Sequence, residues 1–374
     1  MFTSRRQFLK SSAGTLMLSG SLGRGRFALG QSDAASHPVE VRYLGNQFQE
    51  NSVGVTGQDG ATSIALPSDE AFWLFGDTIE GPFESIRGLA LDDKLSSTAA
   101  LVPAQDVSEG IKQFRFLTQP DGKRPRQVIP FAAHEDPATQ RVWPIHGTCV
   151  DNTVYVFYHR ISLLPGVDVF ENFRLDGMGI ATATTGEWQF ERLRAPDGTR
   201  EFWKGDQPTF GVFVEQRDDY VYLWGSLMTG MFLARTRPNT IADLACYEYL
   251  VEAPAERNPH IEPRWSKTFA PTASLFDSVP NEMSAAYNRH LKCYTAIHSY
   301  LRENKIALRT APEIYGPWSE AEIVFRPERI KDDDLTYAAK EHPELARDNG
   351  RIIYVTFVNS TTYVPQMIEL TFTS

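Results

Sequence analysis

Short runs of aromatic and β-branched residues, each bounded by Gly, Pro, Asp or Asn, recur along almost the whole chain, and convincing helical periodicity is nearly absent. The runs come in couples separated by a polar turn: Thr62 to Leu66 with Ala71 to Phe75, Thr148 to Val150 with Val154 to Tyr158, Phe210 to Val214 with Tyr220 to Trp224, and Met283 to Tyr287 with Cys293 to His298. Leu335 to Ala339, leading to Arg351 to Val358, makes a fifth. Further strand-like runs follow some of the hairpins, such as Gly179 to Thr184, Met231 to Thr236 and Lys305 to Thr310. A hairpin cannot bury its own faces, and repeated four-stranded units solve that problem by stacking around an axis. The chain is therefore expected to be all-β, a five-bladed β-propeller, with Val39 to Leu44 completing the last blade beside Gln366 to Phe372. A pair of β-sandwiches is the rival architecture, because the repeats diverge in sequence.

The N-terminus has a different character. Ser4-Arg5-Arg6-Gln7-Phe8-Leu9-Lys10 precedes the uncharged stretch Ser11 to Gly23, and Ala28-Leu29-Gly30 offers a small-x-small cleavage site before Gln31. Residues 1–30 read as a twin-arginine signal peptide and 31–374 as the propeller domain. The apolar stretch falls far short of the ~20 residues that span a bilayer, so no stable membrane association is expected. The expected partner during export is the twin-arginine translocase, and the expected location is periplasmic or secreted. Residues 1–30 hold five of the 37 basic residues and no acid, which leaves 32 basic against 47 acidic residues after cleavage. That balance argues against nucleic acid and anionic membrane surfaces. Cys149, Cys246 and Cys293 are widely spaced and imply neither a disulfide framework nor a structural zinc site. Transport in the folded state often accompanies cofactor loading and raises an oxidoreductase alternative, but no glycine-rich dinucleotide loop or haem-attachment sequence is present.

In a propeller the innermost strands line a central channel, so polar residues at their starts converge on one funnel. Those positions offer Asp59 in Thr56-Gly57-Gln58-Asp59-Gly60, His146 after Trp143, Asp206 and Gln207, Asn281-Glu282, and Lys340-Glu341-His342-Pro343. Asp77, at the end of the strand returning from Asp59, is expected close to it: a three-residue turn or a bulge pairs 59 with 77, and a four-residue turn pairs 59 with 78. Two carboxyl groups held a few ångströms apart push each other's pKa values apart, as a glycosidase requires of its acid and its base or nucleophile. The structural alternative is an Asx turn at Asp59 and a strand-end cap at Asp77-Thr78. Glu282 is either a channel carboxylate or an edge charge, and His146 and His342 are either substrate contacts or satisfied structural histidines. Arg235 is either a substrate contact or a blade residue paired with a carboxylate. Trp143 and Trp203, just ahead of inner strands, are the aromatic candidates for stacking on sugar. No cofactor is required by any motif. A channel cation such as calcium beside His342 and the acids is compatible with the ring, but no ligand spacing demands it.

Gly57-Gln58-Asp59-Gly60 with Ser63, followed by Phe72-Trp73-Leu74-Phe75-Gly76-Asp77-Thr78, resembles the opening of the domain-of-unknown-function family 4185, part of which is classed as glycoside hydrolase family 183, the endo-D-arabinanases. Tyr220-Val221-Tyr222-Leu223-Trp224-Gly225 before Leu233-Ala234-Arg235, Glu282 with Ser284, Tyr315-Gly316-Pro317-Trp318-Ser319, and Tyr337-Ala338-Ala339 before His342-Pro343 follow in the same order. The resemblance spans nearly all of the chain beyond the signal. It implies a five-bladed propeller with channel-mouth carboxylates that cleave furanoside bonds, and it matches Asp59 and Asp77 to the acidic residues of the first-blade motif. Ser96-Ser97 departs from the family's Asn-Ser. The expected function is hydrolysis of a furanose-containing, arabinan-like polysaccharide by Asp59, Asp77 and Glu282, with Trp143, His146, Asp206, Gln207, Arg235 and His342 as candidate substrate contacts. A non-catalytic carbohydrate-binding propeller is the alternative.

The export reading makes the first prediction. Replacing Arg5 and Arg6 together with lysine traps the precursor in the cytoplasm, and mass analysis of exported wild-type protein finds a new N-terminus near Gln31. Undiminished export of the double variant overturns the assignment.

Overall fold

The computed structural model describes residues 37–86, 89–91, 94–166, 172–227, 229–254, 261–276, 282–300 and 303–373. Residues 1–30, read above as an export signal, and Asn281 lie outside the described residues. Among the described residues every regular element is a strand or a short 3₁₀ turn, arranged as five antiparallel blades.

Blade 1 runs outward from Thr62–Ala65 through Glu70–Phe75 and Thr98–Pro103 to Arg115–Phe116. Blade 2 starts at Gln140–Val150 and continues through Thr153–Leu163 and Phe173–Thr184 to Glu191–Arg192; Trp203–Lys204 also pairs with its third strand. Blade 3 begins with Thr209–Arg217, Tyr220–Leu227 and Gly230–Thr236, and ends with Glu248–Glu252 and Arg264–Ser266. Blade 4 comprises Met283–Asn288, Cys293–Tyr300, Lys305–Ala311 and Glu322–Phe325. Blade 5 joins Thr336–Glu341, Ile352–Asn359 and Pro365–Phe372 to Val39–Asn46, the first strand in sequence, which pairs from Val39 with Phe372 to Asn46 with Gln366 across one bulge between Tyr43 and Gly45. The five hairpins and the closing strand anticipated from the sequence are all present.

The alternation of strand side chains puts apolar residues on both faces of each blade, and neighbouring blades bury them against each other. Phe72 of blade 1 stacks on Trp188 beyond blade 2 with ring centroids 4.6 Å apart, and a second cluster joins Phe157 and Ile180 to Phe210 and Leu223 across blades 2 and 3. Trp224 and Met283 meet between blades 3 and 4, Ile297 and Val355 between blades 4 and 5, and Tyr354 and Trp73 between blades 5 and 1. A sixth cluster, containing Ile79, Leu335, Tyr337 and Tyr363, lies beneath the loops where blades 5 and 1 meet.

That junction carries an element which the hairpin pattern did not show. Val55–Gln58 pairs with Thr78–Glu80 as a separate two-stranded ribbon. It continues the blade 1 hairpin past a break at Asp59–Ala61, where Gly60 and Ala61 have φ of 80° and 53°. Leu66 N–H donates to the Glu70 carbonyl and closes a three-residue turn over Pro67–Asp69, the tighter of the two expected geometries. The blade ladder pairs Thr62 with Leu74 and the ribbon pairs Gln58 with Thr78, so Asp59 falls opposite Asp77 in a register common to both.

Ring closure generates the second prediction. A chain ending at Arg351 lacks the two strands that lie between Thr336–Glu341 and the N-terminal strand, and it loses one side of two inter-blade cores. Thermal unfolding of that truncation, followed by circular dichroism, loses the cooperative transition of the full chain. A sharp transition in the truncated protein contradicts a closed ring.

Candidate active site

Asp59 sits at the break between the blade 1 hairpin and its ribbon. Its carbonyl accepts the Gly76 N–H at 3.0 Å, and a Cβ at Gly76 would lie 2.3 Å from Asp59 Oδ1, so only glycine lets the carboxyl group rest against that backbone. The Tyr337 hydroxyl donates to Asp59 Oδ2 at 3.1 Å, and Tyr363 also hydrogen-bonds the carboxyl. Burial, followed by the charges of Asp77 and Glu282, raises the Asp59 pKa to about 7 against the pull of the two phenols.

Asp77 is 2% exposed and is held by the fully buried Arg141 of blade 2, whose Nε donates to Oδ1 at 2.8 Å. Nη2 lies 2.7 Å from the same oxygen, and the carbonyls of Leu91, Lys94 and Pro137 accept from Nη1 and Nη2. Glu282, just ahead of the inner strand of blade 4, faces Lys340 of blade 5, with Nζ 2.9 Å from Oε1. Three carboxyl groups therefore converge with two buried cations. Asp77 and Glu282 each have a cationic partner, and Asp59 has hydroxyl donors instead.

The other candidates divide by depth. His146 is not at a strand start, because the inner strand of blade 2 begins at Gln140; it lies halfway down, 7% exposed, with Nδ1 accepting the Val214 N–H at 3.3 Å. Burial, with a smaller contribution from the Lys340 charge, lowers its pKa to about 3. His342 is fully buried between Ser63 Oγ, 2.6 Å from Nδ1, and Thr356 Oγ1, 2.7 Å from Nε2, and it stacks on Trp73. Burial and Lys340 hold it neutral as well. Trp143 is half-buried, edge-on to Phe173, and Asp206 and Gln207 lie on an exposed turn where Gln207 Oε1 accepts the Lys204 N–H at 2.8 Å. Arg235 is on the third strand of blade 3, paired with Glu248 at 2.9 Å and layered between Tyr220 and Trp265, away from the three carboxyl groups. Trp203 is not available for stacking: it is 2% exposed in the core between blades 2 and 3, and its Nε1–H donates to Tyr249 Oη at 3.2 Å. Its place ahead of an inner strand suggested a channel residue, but it is held in place by pairing with Met178.

No motif in the sequence marks Arg141 or Tyr363, and Lys340 stands in the Lys340-Glu341-His342-Pro343 string with no spacing that assigns it a role. Arg141 had one legible signal, a cation opening an inner strand in a fold that must bury Asp77. Among the described residues no group of three or more His, Cys, Asp or Glu side chains is placed to hold a metal ion.

The fold is a five-bladed β-propeller with three carboxyl groups gathered where blades 1, 4 and 5 meet. The model of the family "Domain of unknown function (DUF4185)" matches residues 45–368, and the chain belongs to that family. Among solved structures, a putative hydrolase from Bacteroides ovatus superimposes with a TM-score of 0.62 at 16% identity, over 89% of this chain and 90% of that one. An exo-beta-1,3-galactanase from Phanerochaete chrysosporium superimposes with a TM-score of 0.50 at 13% identity, over 88% of this chain and 63% of that one. At these identities the likeness is one of fold. No curated protein matches the chain in sequence.

The raised Asp59 pKa has a consequence for stability. A carboxyl group that titrates near 4 when unfolded and about 7 when folded destabilises the native state progressively as pH rises through that window. Asp59→Asn relieves this. In urea denaturation the variant therefore gains stability relative to wild type between pH 4 and 7, and the difference is constant above. A pH-independent difference contradicts the shift.

Proposed function

We propose that the protein is an exported glycoside hydrolase acting on a furanose-containing, arabinan-like polysaccharide, with Asp59 and Asp77 as the acid–base pair and Glu282 as the third carboxylate. The observation that carries this reading is the unequal environment of three adjacent carboxyl groups. Asp59 retains a proton near neutral pH, whereas Asp77 and Glu282 each face a buried cation. Such a separation lets one carboxyl give a proton to the leaving glycosidic oxygen as the C–O bond breaks, while an ionised neighbour attacks the anomeric carbon or takes a proton from water. The first-blade motif, the family's resemblance to endo-D-arabinanases and the sugar-cleaving activity named for the galactanase support the same class. The twin-arginine sequence supports action outside the cytoplasm on a polymeric substrate.

A second assignment is favoured by exposure. The side chain of Glu282 is 17% exposed and that of Asp77 3%, so Glu282 has the better access to an anomeric centre or a water. In that version Asp77 acts through Asp59, as a fixed negative charge that raises its pKa.

The predicted kinetics separate these roles. Asp59→Asn lowers turnover on arabinan by ~10² or more, and less on an aryl furanoside whose leaving group needs no proton. Asp77→Asn and Glu282→Gln are compared on both substrates. Full activity of Asp77→Asn with loss in Glu282→Gln moves the ionised role to Glu282. Wild-type rates follow a bell-shaped pH curve whose limbs belong to the coupled carboxyl cluster. Absence of hydrolysis on a panel of bacterial, plant and mycobacterial polysaccharides, with binding retained, supports the non-catalytic alternative.

A further inference from the structure

Lys340 is 2% exposed, and its ammonium makes three bonds: 2.7 Å to the Gly60 carbonyl, 3.1 Å to Thr62 Oγ1 and 2.9 Å to Glu282 Oε1. It has three N–H donors, and all three are used. The side chain is brought there by a bulge in the inner strand of blade 5, where the ladder passes from Tyr337–Val358 to Lys340–Thr356 and Ala338 takes a φ of 58°. The partners belong to different parts of the ring: Gly60 and Thr62 to the turn and inner strand of blade 1, Glu282 to blade 4. Thr62 in turn donates to the Ile145 carbonyl of blade 2 at 2.7 Å. The ammonium thus joins blades 1, 4 and 5 directly, and blade 2 through the Thr62 hydroxyl.

Simple cross-linking does not require a charge, and burying one costs several kcal/mol before partners repay it. The charged groups around Lys340 show what its charge does there. Blade 1 presents Asp59 and Asp77, blade 2 presents Arg141 against Asp77 and also His146, and blade 4 presents Glu282. Blade 5 and its loop present His342, Tyr337 and Tyr363. Arg141 is committed to Asp77, and both histidines are held neutral, so Lys340 is the cation in direct contact with Glu282.

We infer that Lys340 is the positioning residue that fixes the order of charge in the site, holding the negative charge on Glu282 while its bond to the Gly60 carbonyl sets the turn that presents Asp59. This rests on the glycosidase reading and deepens it. Without the ammonium, Glu282 loses the cation it touches, and no charge fixes the division between donor and ionised carboxylate.

The test uses Lys340→Gln, which keeps a hydrogen-bond donor without the charge, and Lys340→Ala, which leaves room for propylammonium. In Lys340→Gln the acid limb of kcat/KM moves to higher pH by about one unit or more, as expected for a carboxylate that loses an adjacent cation. Propylammonium restores the limb in Lys340→Ala, and 1-propanol does not. A slower Lys340→Gln enzyme with an unmoved acid limb, or equal rescue by propanol, reduces Lys340 to a structural tie and overturns the inference. Titration of the carboxyl groups by ¹³C NMR without substrate reads the same order independently of turnover. If the wild type cleaves no furanoside, the glycosidase reading fails, while this titration still decides the charge order. Should neither variant fold, the wild-type spectrum still overturns the inference if Asp59 loses its proton before Glu282 as pH rises.

Discussion

Three carboxyl groups share one small, buried region with two cations, and that imbalance shapes the site. A buried carboxylate without a cation or several donors is costly, so either it acquires a partner or it keeps its proton. Asp77 has Arg141, and Glu282 has Lys340. Asp59 receives phenol hydroxyls and a raised pKa. The asymmetry comes from the count of charges, and no unusual side-chain chemistry is needed to produce it. Removing Arg141 would leave Asp77 buried and alone, a defect of about 3–5 kcal/mol in comparable pairs.

The groups involved come from every part of the ring except blade 3. Asp59 and Asp77 belong to blade 1, Arg141 to blade 2, Glu282 to blade 4, Tyr337 and Lys340 to blade 5, and Tyr363 to the turn before the last strand. Their relative positions depend on the ring being closed, and closure depends on the pairing of Val39–Asn46 with Pro365–Phe372. Blades 5 and 1, on either side of that seam, supply most of the groups that set the protonation of Asp59. The cluster of Ile79, Leu335, Tyr337 and Tyr363 lies under the same seam, so the packing that joins the blades also fixes the two phenols. Mechanical closure and the electrostatics of the site are therefore not separable in this fold.

The hairpins could be read from the sequence because each strand pair carries its own turn and its own apolar alternation, which are local signals. The opposition of Asp59 and Asp77 was legible for the same reason, since both sit on one hairpin and a three-residue turn at Pro67–Asp69 fixes their register. The cations were harder to see. Arg141 lies 64 positions from Asp77, and Lys340 lies 58 from Glu282, so no spacing rule connects them. Lys340 also depends on a bulge and a left-handed Ala338, neither of which leaves a mark in residue type. His146 was misplaced because the inner strand of blade 2 begins at Gln140, well before its apolar run from Thr148, and Arg141 occupies the level expected for the histidine. Trp203 illustrates the opposite difficulty: an aromatic ahead of an inner strand looks the same whether it faces the channel or the core.

The neutrality of the deeper channel completes the picture. Immediately beyond the carboxyl cluster lie His146 and His342, both kept uncharged by burial and by the Lys340 ammonium, and His342 is locked by Ser63, Thr356 and the face of Trp73. If either imidazole were basic enough to accept a proton near neutral pH, it would stand as an alternative acceptor beside Asp59. The proton that the proposed chemistry needs could then be drawn away from the carboxyl group. Burial first, and then the charge of the lysine that faces Glu282, makes the histidines poor bases. In this arrangement neither imidazole competes with Asp59, whose pKa of about 7 lets it exchange a proton around neutral pH.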